Sequence, residues 1–306
     1  MQMHSGTPRR WLALFAAVLT SIPLFCSQAT AARRSKSDRD ISAIGRRNIA
    51  HGDDRKFISA PQKEKQLGAQ FFSAFQRSAK LITDSEINKY LLDLAQKIGR
   101  NSDSTMPVTV IVVDNNTVNA CTSPGGYQYI ARGLLAHAKS EGELAAVLAH
   151  GIAEAALRLP MRQQLRQSLL SLAAPTVLST VSVFTCTSLS SSPLASGALP
   201  SDEFDADYFA VQYLYQSGYD PQYYLHFVEW IWPSGPGSKN VAFRRFPPTA
   251  ERLKALRKEI TEILPQRRQI PASTSEFEAF QEQLQNLPSP PPEPDKPVLL
   301  RPASGE

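Results

Sequence analysis

The chain has 306 residues, of which 42% are hydrophobic and 20% charged, and its formal net charge is +5 at pH 7. This composition provides enough apolar material for a sizeable core and excludes a mainly disordered or collagen-like protein. Much of the excess positive charge lies between residues 33 and 56 without interleaved aromatic side chains, which argues against nucleic-acid binding.

The first residues have the pattern of an export signal. Arg9 and Arg10 precede an apolar run over residues 11–25, and Ala29-Thr30-Ala31 supplies a small-x-small cleavage pattern. The run is shorter than the roughly 20 residues that a membrane-spanning helix needs. We therefore predict a signal peptide over residues 1–31 and export to the periplasm or cell envelope.

The two flanks of the predicted domain differ in composition. The basic segment over residues 32–60 is predicted to be a flexible linker, with peripheral contact to an anionic membrane as the alternative. Residues 286–306 form a proline-rich tail, which we predict to be extended and disordered because proline cannot continue a helix or a central strand. The folded domain is expected over residues 61–285.

Two cysteines remain once the predicted leader is removed, Cys121 and Cys186. In an oxidising compartment they can pair, and closing a loop of this size would stabilise the fold by about 4 kcal/mol in the chain-entropy model. Two buried free thiols are the alternative, and spacing does not decide between them.

Hydrophobic periodicity indicates the elements of the domain. An α+β class follows, mostly helical around a small β-sheet. In chain order we predict helices over residues 63–75 and 86–98, a strand over 108–113, a turn at 123–126, a strand over 127–131, and helices over 141–159, 202–216 and 249–264. The uncharged stretch over residues 168–201 is predicted to pack over the core, with docking against a membrane or a partner as the alternative.

One helical segment carries the chemistry. Residues 143–158 read ELAAVLAHGIAEAALR, which places His150 and Glu154 four residues apart on one helix face. A single-zinc peptidase uses His-Glu-x-x-His in this arrangement, with a third ligand from a later helix and a general base beside the metal-bound water.

Four blocks resemble the gluzincin zinc metallopeptidases of the HtpX/BepA/CaaX-protease type. They follow the family's order and comprise ELAAVLAHGIAEAALR together with VNACTSPGGYQYIARGLL at 118–135, DEFDADYFAVQYLYQSGYDP at 202–221 and FPPTAERL at 246–253. The resemblance implies a zincin-like (gluzincin) fold.

The resemblance also implies a ligand set. His150 matches the first metal ligand, Glu154 takes the place of the second histidine, Glu203 matches the third ligand, and Asp207 matches the carboxylate that orients the metal-bound imidazole. The implied cofactor is zinc. With one histidine replaced we expect low occupancy or no metal, and the nitrogen and two carboxylates that remain also suit harder ions such as Mn²⁺.

A metal-free arrangement is the alternative for these residues. His150 would then be an ordinary helix histidine bonded to Glu154, and Glu203 and Asp207 would be solvated or paired with Arg244 or Arg245.

Two positions depart from the catalytic pattern. Gly151 stands at the general-base position, and Phe246 stands where the family has a histidine that stabilises the oxyanion. Loss of a general base typically costs 10²–10⁴-fold in rate, or roughly 3 to 5 kcal/mol of barrier. We therefore expect a catalytically inactive pseudopeptidase. The alternatives are an active zinc metalloendopeptidase with a His/Glu/Glu site and a purely structural envelope component.

The family's cleft implies a partner. We expect a polypeptide or envelope protein in extended conformation, which would add as a strand to the chain. The residues predicted to receive it are Gly126, Tyr127, Gln128, Tyr129, Ile130 and Ala131.

Overall fold

Helices surround a small sheet in the α+β fold that the periodicity predicts. The computed structural model describes residues 37–50, 60–77, 79–173, 199–231, 249–265 and 273–289, all within the unit spanning residues 31–306. The predicted leader, the residues from 290 onward, Phe246 and Cys186 lie outside the described residues.

The described elements follow one another in a simple order. The helices are α1 (Pro61–Gln76), α2 (Ser85–Gly99), α3 (Arg132–His137), α4 (Glu141–Ala156), α5 (Leu159–Ala173), α6 (Pro200–Gln216), α7 (Gln222–Ile231), α8 (Ala250–Lys258) and α9 (Ser275–Asn286). The strands are β1 (Thr109–Val113), β2 (Ala120–Ser123) and β3 (Tyr127–Ala131), and one turn of π-helix (Glu259–Ile263) continues α8.

Helix α4 lies at the centre of the core. From Leu144 to Ala156 its side chains are small or aliphatic and buried, except for those of His150 and Glu154. Ser140 caps its start, since the hydroxyl accepts a hydrogen bond from the backbone N–H of Glu143. Helices α2, α6 and α7 all pack on it. The position of α4 therefore determines where His150 and Glu154 lie.

The predicted helix over 141–159 ends three residues early, at Ala156, and a second helix, α5, begins at Leu159. Arg158 has a φ of 57°, a left-handed conformation that ends α4 and starts α5 in a new direction. Its guanidinium donates from Nε (2.8 Å) and Nη2 (2.5 Å) to Oε2 of Glu64 on α1, whose side chain is 1% exposed. A buried ion pair thus holds the break in place.

No single helix among the described residues is long and apolar enough to cross a membrane. One bent pair, Glu141–Ala156 with Leu159–Ser168, meets the length and composition criteria together, with an angle of 57° between its parts.

The sheet corrects the prediction for the polypeptide-binding strand. Strand β3 is central, parallel to β1 and antiparallel to β2, and it is paired on both sides along its length. A further strand has no free backbone groups to pair with there, so the prediction that a polypeptide adds along residues 126–131 is wrong. Within the described part of the sheet, β2 is an edge strand.

Along β2, successive residues direct their backbone N–H and carbonyl groups alternately toward β3 and toward the opposite side of the strand. The N–H of Ala131 donates to the carbonyl of Asn119 at 2.9 Å, which fixes the phase of the antiparallel pairing. Ala120 and Thr122 therefore direct their backbone N–H and carbonyl groups away from β3.

The basic segment is only partly as predicted. Arg47 forms an ion pair with Asp103 at 2.6 Å, and the two side chains are 2% and 0% exposed. The hydroxyl of Tyr213 donates to the same carboxylate at 3.0 Å. The prediction of a flexible linker over residues 32–60 is therefore wrong around Arg47, because this arginine is fixed inside the domain.

The structure shows the state of one of the two predicted cysteines. Cys121 on β2 is disulfide-bonded, which excludes a free thiol at this position. Neither Cys26 nor Cys186 is among the described residues. Pairing of Cys121 with Cys186 stays a prediction.

The ion pair at the helix break gives a stability prediction. Replacing Arg158 with Met strands the buried carboxylate of Glu64 and should lower the free energy of unfolding by about 3 kcal/mol. Adding Glu64→Gln should recover part of that loss, since the unpaired charge is then removed. Denaturant unfolding monitored by circular dichroism measures both, with Lys89→Met in an exposed pair as the control that leaves the transition unchanged. Equal unfolding of the Arg158→Met protein and the parent would contradict the role of the pair.

Candidate metal centre

Three predicted ligands meet between α4 and α6. His150 and Glu154 lie one turn apart on α4, Glu203 lies on α6, and one ligand atom from each falls within 4.8 Å of the others. Nε2 of His150 is 4.0 Å from Oε1 of Glu154 and 3.7 Å from Oε2 of Glu203. At 4.0 Å this pair is too far apart for a hydrogen bond but within ion-pair distance, so the alternative in which His150 pairs with Glu154 without a metal stays a prediction.

Small residues bring the two helices together. Ala149 and Ala153 on α4 and Ala206 and Ala210 on α6 are each 0% exposed. Alanine adds little bulk between helix backbones, so carboxylates and imidazole from the two helices can converge. The three ligand side chains remain 15–16% exposed, which leaves a path to solvent.

The imidazole of His150 is oriented by a tyrosine that the sequence analysis missed. Nδ1 of His150 lies 2.7 Å from Oη of Tyr224, and that hydroxyl donates to Oδ1 of Asp207 at 2.7 Å. Since the hydroxyl proton is directed to Asp207, the hydroxyl oxygen accepts from Nδ1–H of His150. The neutral imidazole then has its lone pair on Nε2, facing the carboxylates of Glu154 and Glu203.

Asp207 therefore acts on His150 through Tyr224. Its Oδ1 is 3.6 Å from Nδ1 of His150, beyond direct hydrogen-bond distance. Burial, reinforced by the charge of Asp207, raises the pKa of Tyr224 well above its ordinary value, so the hydroxyl keeps the proton that it donates. No sequence signal distinguishes Tyr224 from the other tyrosines nearby.

A buried arginine supports this arrangement. Arg252 on α8 is 3% exposed and donates to both oxygens of Asp207, each at 2.8 Å, with a longer contact of 3.4 Å to Oε2 of Glu203. Burial lowers the pKa of Arg252, but the charges of Asp207 and Glu203 outweigh burial and raise it. Arg252 is thus the partner that the sequence analysis sought in Arg244 or Arg245, which lie outside the described residues.

The carboxylate of Glu154 is in an unfavourable environment for its charge. Burial is the main cause that raises the pKa of Glu154 to about 7, and the charge of Glu203 raises it further. His150 and a hydrogen bond from Thr122 act in the opposite direction. A divalent cation between these side chains would supply the missing positive charge.

The donor set fits a metal ion. It provides one imidazole nitrogen with a fixed tautomer and two carboxylates, close enough to converge on one ion with ligand bonds of about 2.0–2.2 Å. Zinc accepts these donors, and so do harder ions such as Mn²⁺. His150, Glu154 and Glu203 are the residues that would hold it.

Side chains from the sheet fill the space beside Gly151, which stands at the general-base position. A Cβ atom at Gly151 would lie 2.8 Å from Cδ of Gln128 and 2.9 Å from Oγ1 of Thr122, both on strands of the sheet. The structure therefore brings together the predicted ligands and the predicted orienting carboxylate, but provides no base from residue 151. Phe246, the position of the family's oxyanion histidine, lies outside the described residues.

Comparison with known proteins identifies the family of this chain. The sequence model of Peptidase family M48 matches residues 82–260. Similar curated proteins are the beta-barrel assembly-enhancing proteases of Yersinia pestis (27% identical, covering 55% of this chain) and Escherichia coli K12 (26%, also 55%), and a Vibrio cholerae protein with a provisional form of that name (28%, 53%). The chain spans 37% of the length of each of these relatives. Since the family match covers more than half of the 306 residues, the chain belongs to Peptidase family M48.

Proposed function

We propose that the chain is an exported, non-hydrolytic member of its family, with the zincin-like fold that membership implies, which binds a divalent metal ion and holds a polypeptide in extended conformation. One observation carries this proposal: the oriented ligand cluster of His150, Glu154 and Glu203 is retained, while the general-base position beside it is closed.

The lost base accounts for the absence of hydrolysis. Zinc bound in such sites polarises a carbonyl oxygen and lowers the pKa of a bound water. Gly151 has no side chain to accept a proton from that water, which removes a contribution of typically 10²–10⁴-fold in rate. Glu154 and Glu203 would both serve as ligands, so neither is free to replace the base. Binding without turnover is the function that these residues support.

The edge strand β2 supports polypeptide binding. Ala120 and Thr122 direct backbone groups to its open edge, where an extended chain can add by main-chain hydrogen bonds. Oγ1 of Thr122 lies beside Gly151, the residue after His150, so a segment on this edge would lie beside the ligand cluster. The relatives with proteolytic names are consistent with a cleft for polypeptide.

Two features support export. The first 31 residues have the charge and hydrophobic pattern of a signal peptide. Cys121 is disulfide-bonded, which is typical of proteins in an oxidising compartment. The periplasm or cell envelope is accordingly the proposed location.

An active metalloendopeptidase is the second candidate, favoured by the same ligand cluster. It requires a base other than residue 151 and predicts cleavage of a denatured protein that a chelator stops.

Metal content tests the first part of the proposal. The natively purified protein should contain close to one equivalent of a divalent metal, and His150→Ala should lose it because the only nitrogen donor of the cluster is removed. Elemental analysis after exhaustive dialysis measures both, and His226→Ala, an exposed histidine on α7, should keep the metal. Metal-free parent protein, or metal retained in His150→Ala, would reject the site.

Peptide binding tests the second part. The protein should bind a fluorescent, reduced and carboxymethylated polypeptide in an anisotropy titration without cleaving it over a long incubation. Ala120→Pro should weaken binding at least about tenfold, since proline removes a backbone N–H at the open edge, whereas Ala120→Ser keeps that N–H and should bind normally. Equal binding by the proline and serine variants would exclude β2 as the docking edge. Chelator-sensitive cleavage by the parent protein would establish the endopeptidase instead.

A further inference from the structure

The wall of the site beside Gly151 is filled by side chains from the sheet. A Cβ atom there would lie 2.8 Å from Cδ and 3.0 Å from Oε1 of Gln128, and 2.9 Å from Oγ1 of Thr122. Optimal separations between non-bonded carbon atoms are about 3.5–4.0 Å, so the contact with Cδ is an overlap and the contacts with the two oxygens are tight. A neighbouring side chain would have to shift to admit a Cβ atom. The loss of a side chain at residue 151 has therefore left no cavity, because the Gln128 amide occupies the space.

Gln128 has little freedom to withdraw. It is 3% exposed, and its Nε2 donates to the carbonyl of Leu148 on α4 at 3.4 Å. Its backbone belongs to the central strand β3, which is paired on both sides. A new side chain at residue 151 would have to displace a packed amide and break its contact with α4.

Thr122 holds the other side of the same space. It is paired with Gln128 across β2 and β3, so the two side chains lie on the same face of the sheet. The two strands together thus close the position, and Gln128 contributes the nearest atom.

We infer that the Gln128 amide occupies the general-base position, and that Gly151 and Gln128 are energetically coupled: a side chain at residue 151 costs less stability when the amide is removed. The inference rests on the proposed function where it explains why hydrolysis is lost. It implies that a base cannot be restored by changing residue 151 alone. The closure is part of the fold, shared between α4 and a strand far away in sequence.

A double-mutant cycle tests this coupling. Alanine in place of glycine inside a helix normally raises the folding equilibrium constant about fivefold. With Gln128 present, Gly151→Ala should lose that gain or lower the constant. In the Gln128→Ala background, the same substitution should recover part of the gain, because the contact with Thr122 remains, and the coupling should exceed the about twofold deviation expected of independent sites.

The measurement uses the full chain in excess chelator, with unfolding by denaturant as the readout. Ile130→Ala is the matched control, because Ile130 is buried on the same face of β3 two residues further on, and its effect should add to that of Gly151→Ala within about twofold. If Gln128→Ala does not fold, Gln128→Asn takes its place in the cycle. Its side chain is one methylene shorter, so the amide is withdrawn from residue 151 and the coupling should have the same sign.

The outcomes separate this inference from the proposed function. Additive effects of Gly151→Ala and Gln128→Ala on stability would overturn this inference, because the two residues would then not compete for space. That result would leave metal and polypeptide binding untouched, since no metal or polypeptide is present in the cycle. Conversely, a metal-free parent protein would reject the proposed metal site without changing the coupling.

Discussion

The ion pair between Arg252 and Asp207 is the interaction on which the metal centre depends. Both side chains are 3% exposed, and two charges so deeply buried are tolerated only when they neutralise each other with good hydrogen-bond geometry. Asp207 is thereby fixed as an acceptor for Tyr224, and Tyr224 in turn accepts from His150. Three helices, α6, α7 and α8, thus determine the tautomer of one histidine on α4.

The orientation of His150 and the space at the general-base position depend on different parts of the fold. The groups that orient His150 come from the helices on one side of α4. The groups that close the general-base position, Gln128 and Thr122, come from the sheet on the other side. The side of α4 that faces the sheet can therefore vary without disturbing the ligand cluster.

Local patterns in the sequence predicted much of the site. The four-residue spacing of His150 and Glu154 needs only a helix, and the buried periodicity around α4 indicates one. Glu203 and Asp207 followed from the resemblance of their block to the metallopeptidase family. The helix over 141–159 was predicted three residues too long: Pro160 indicates an end near residue 159, but the left-handed conformation of Arg158, which pairs with the distant Glu64, ends the helix earlier.

Interactions between distant segments could not be predicted in this way. Alternation identifies β3 as a strand, but it does not give the strand order, so the central strand was mistaken for a docking edge. Arg47 belongs to a basic run that looks solvated, and its buried partner Asp103 lies far along the chain. Tyr224 and Gln128 matter because of what the fold places beside them.

The state of the His150 imidazole tests the central claim most directly. Long-range ¹⁵N–¹H correlation spectra of the metal-free protein at neutral pH, assigned with a His150→Gln variant, report which ring nitrogen carries the proton. The account predicts the Nδ1–H tautomer, a shift of Nε2 alone when one equivalent of zinc is added, and loss of the tautomer preference in Tyr224→Phe. A proton on Nε2 that is unaffected by zinc would show that His150 is not oriented as a metal ligand, and would contradict the account.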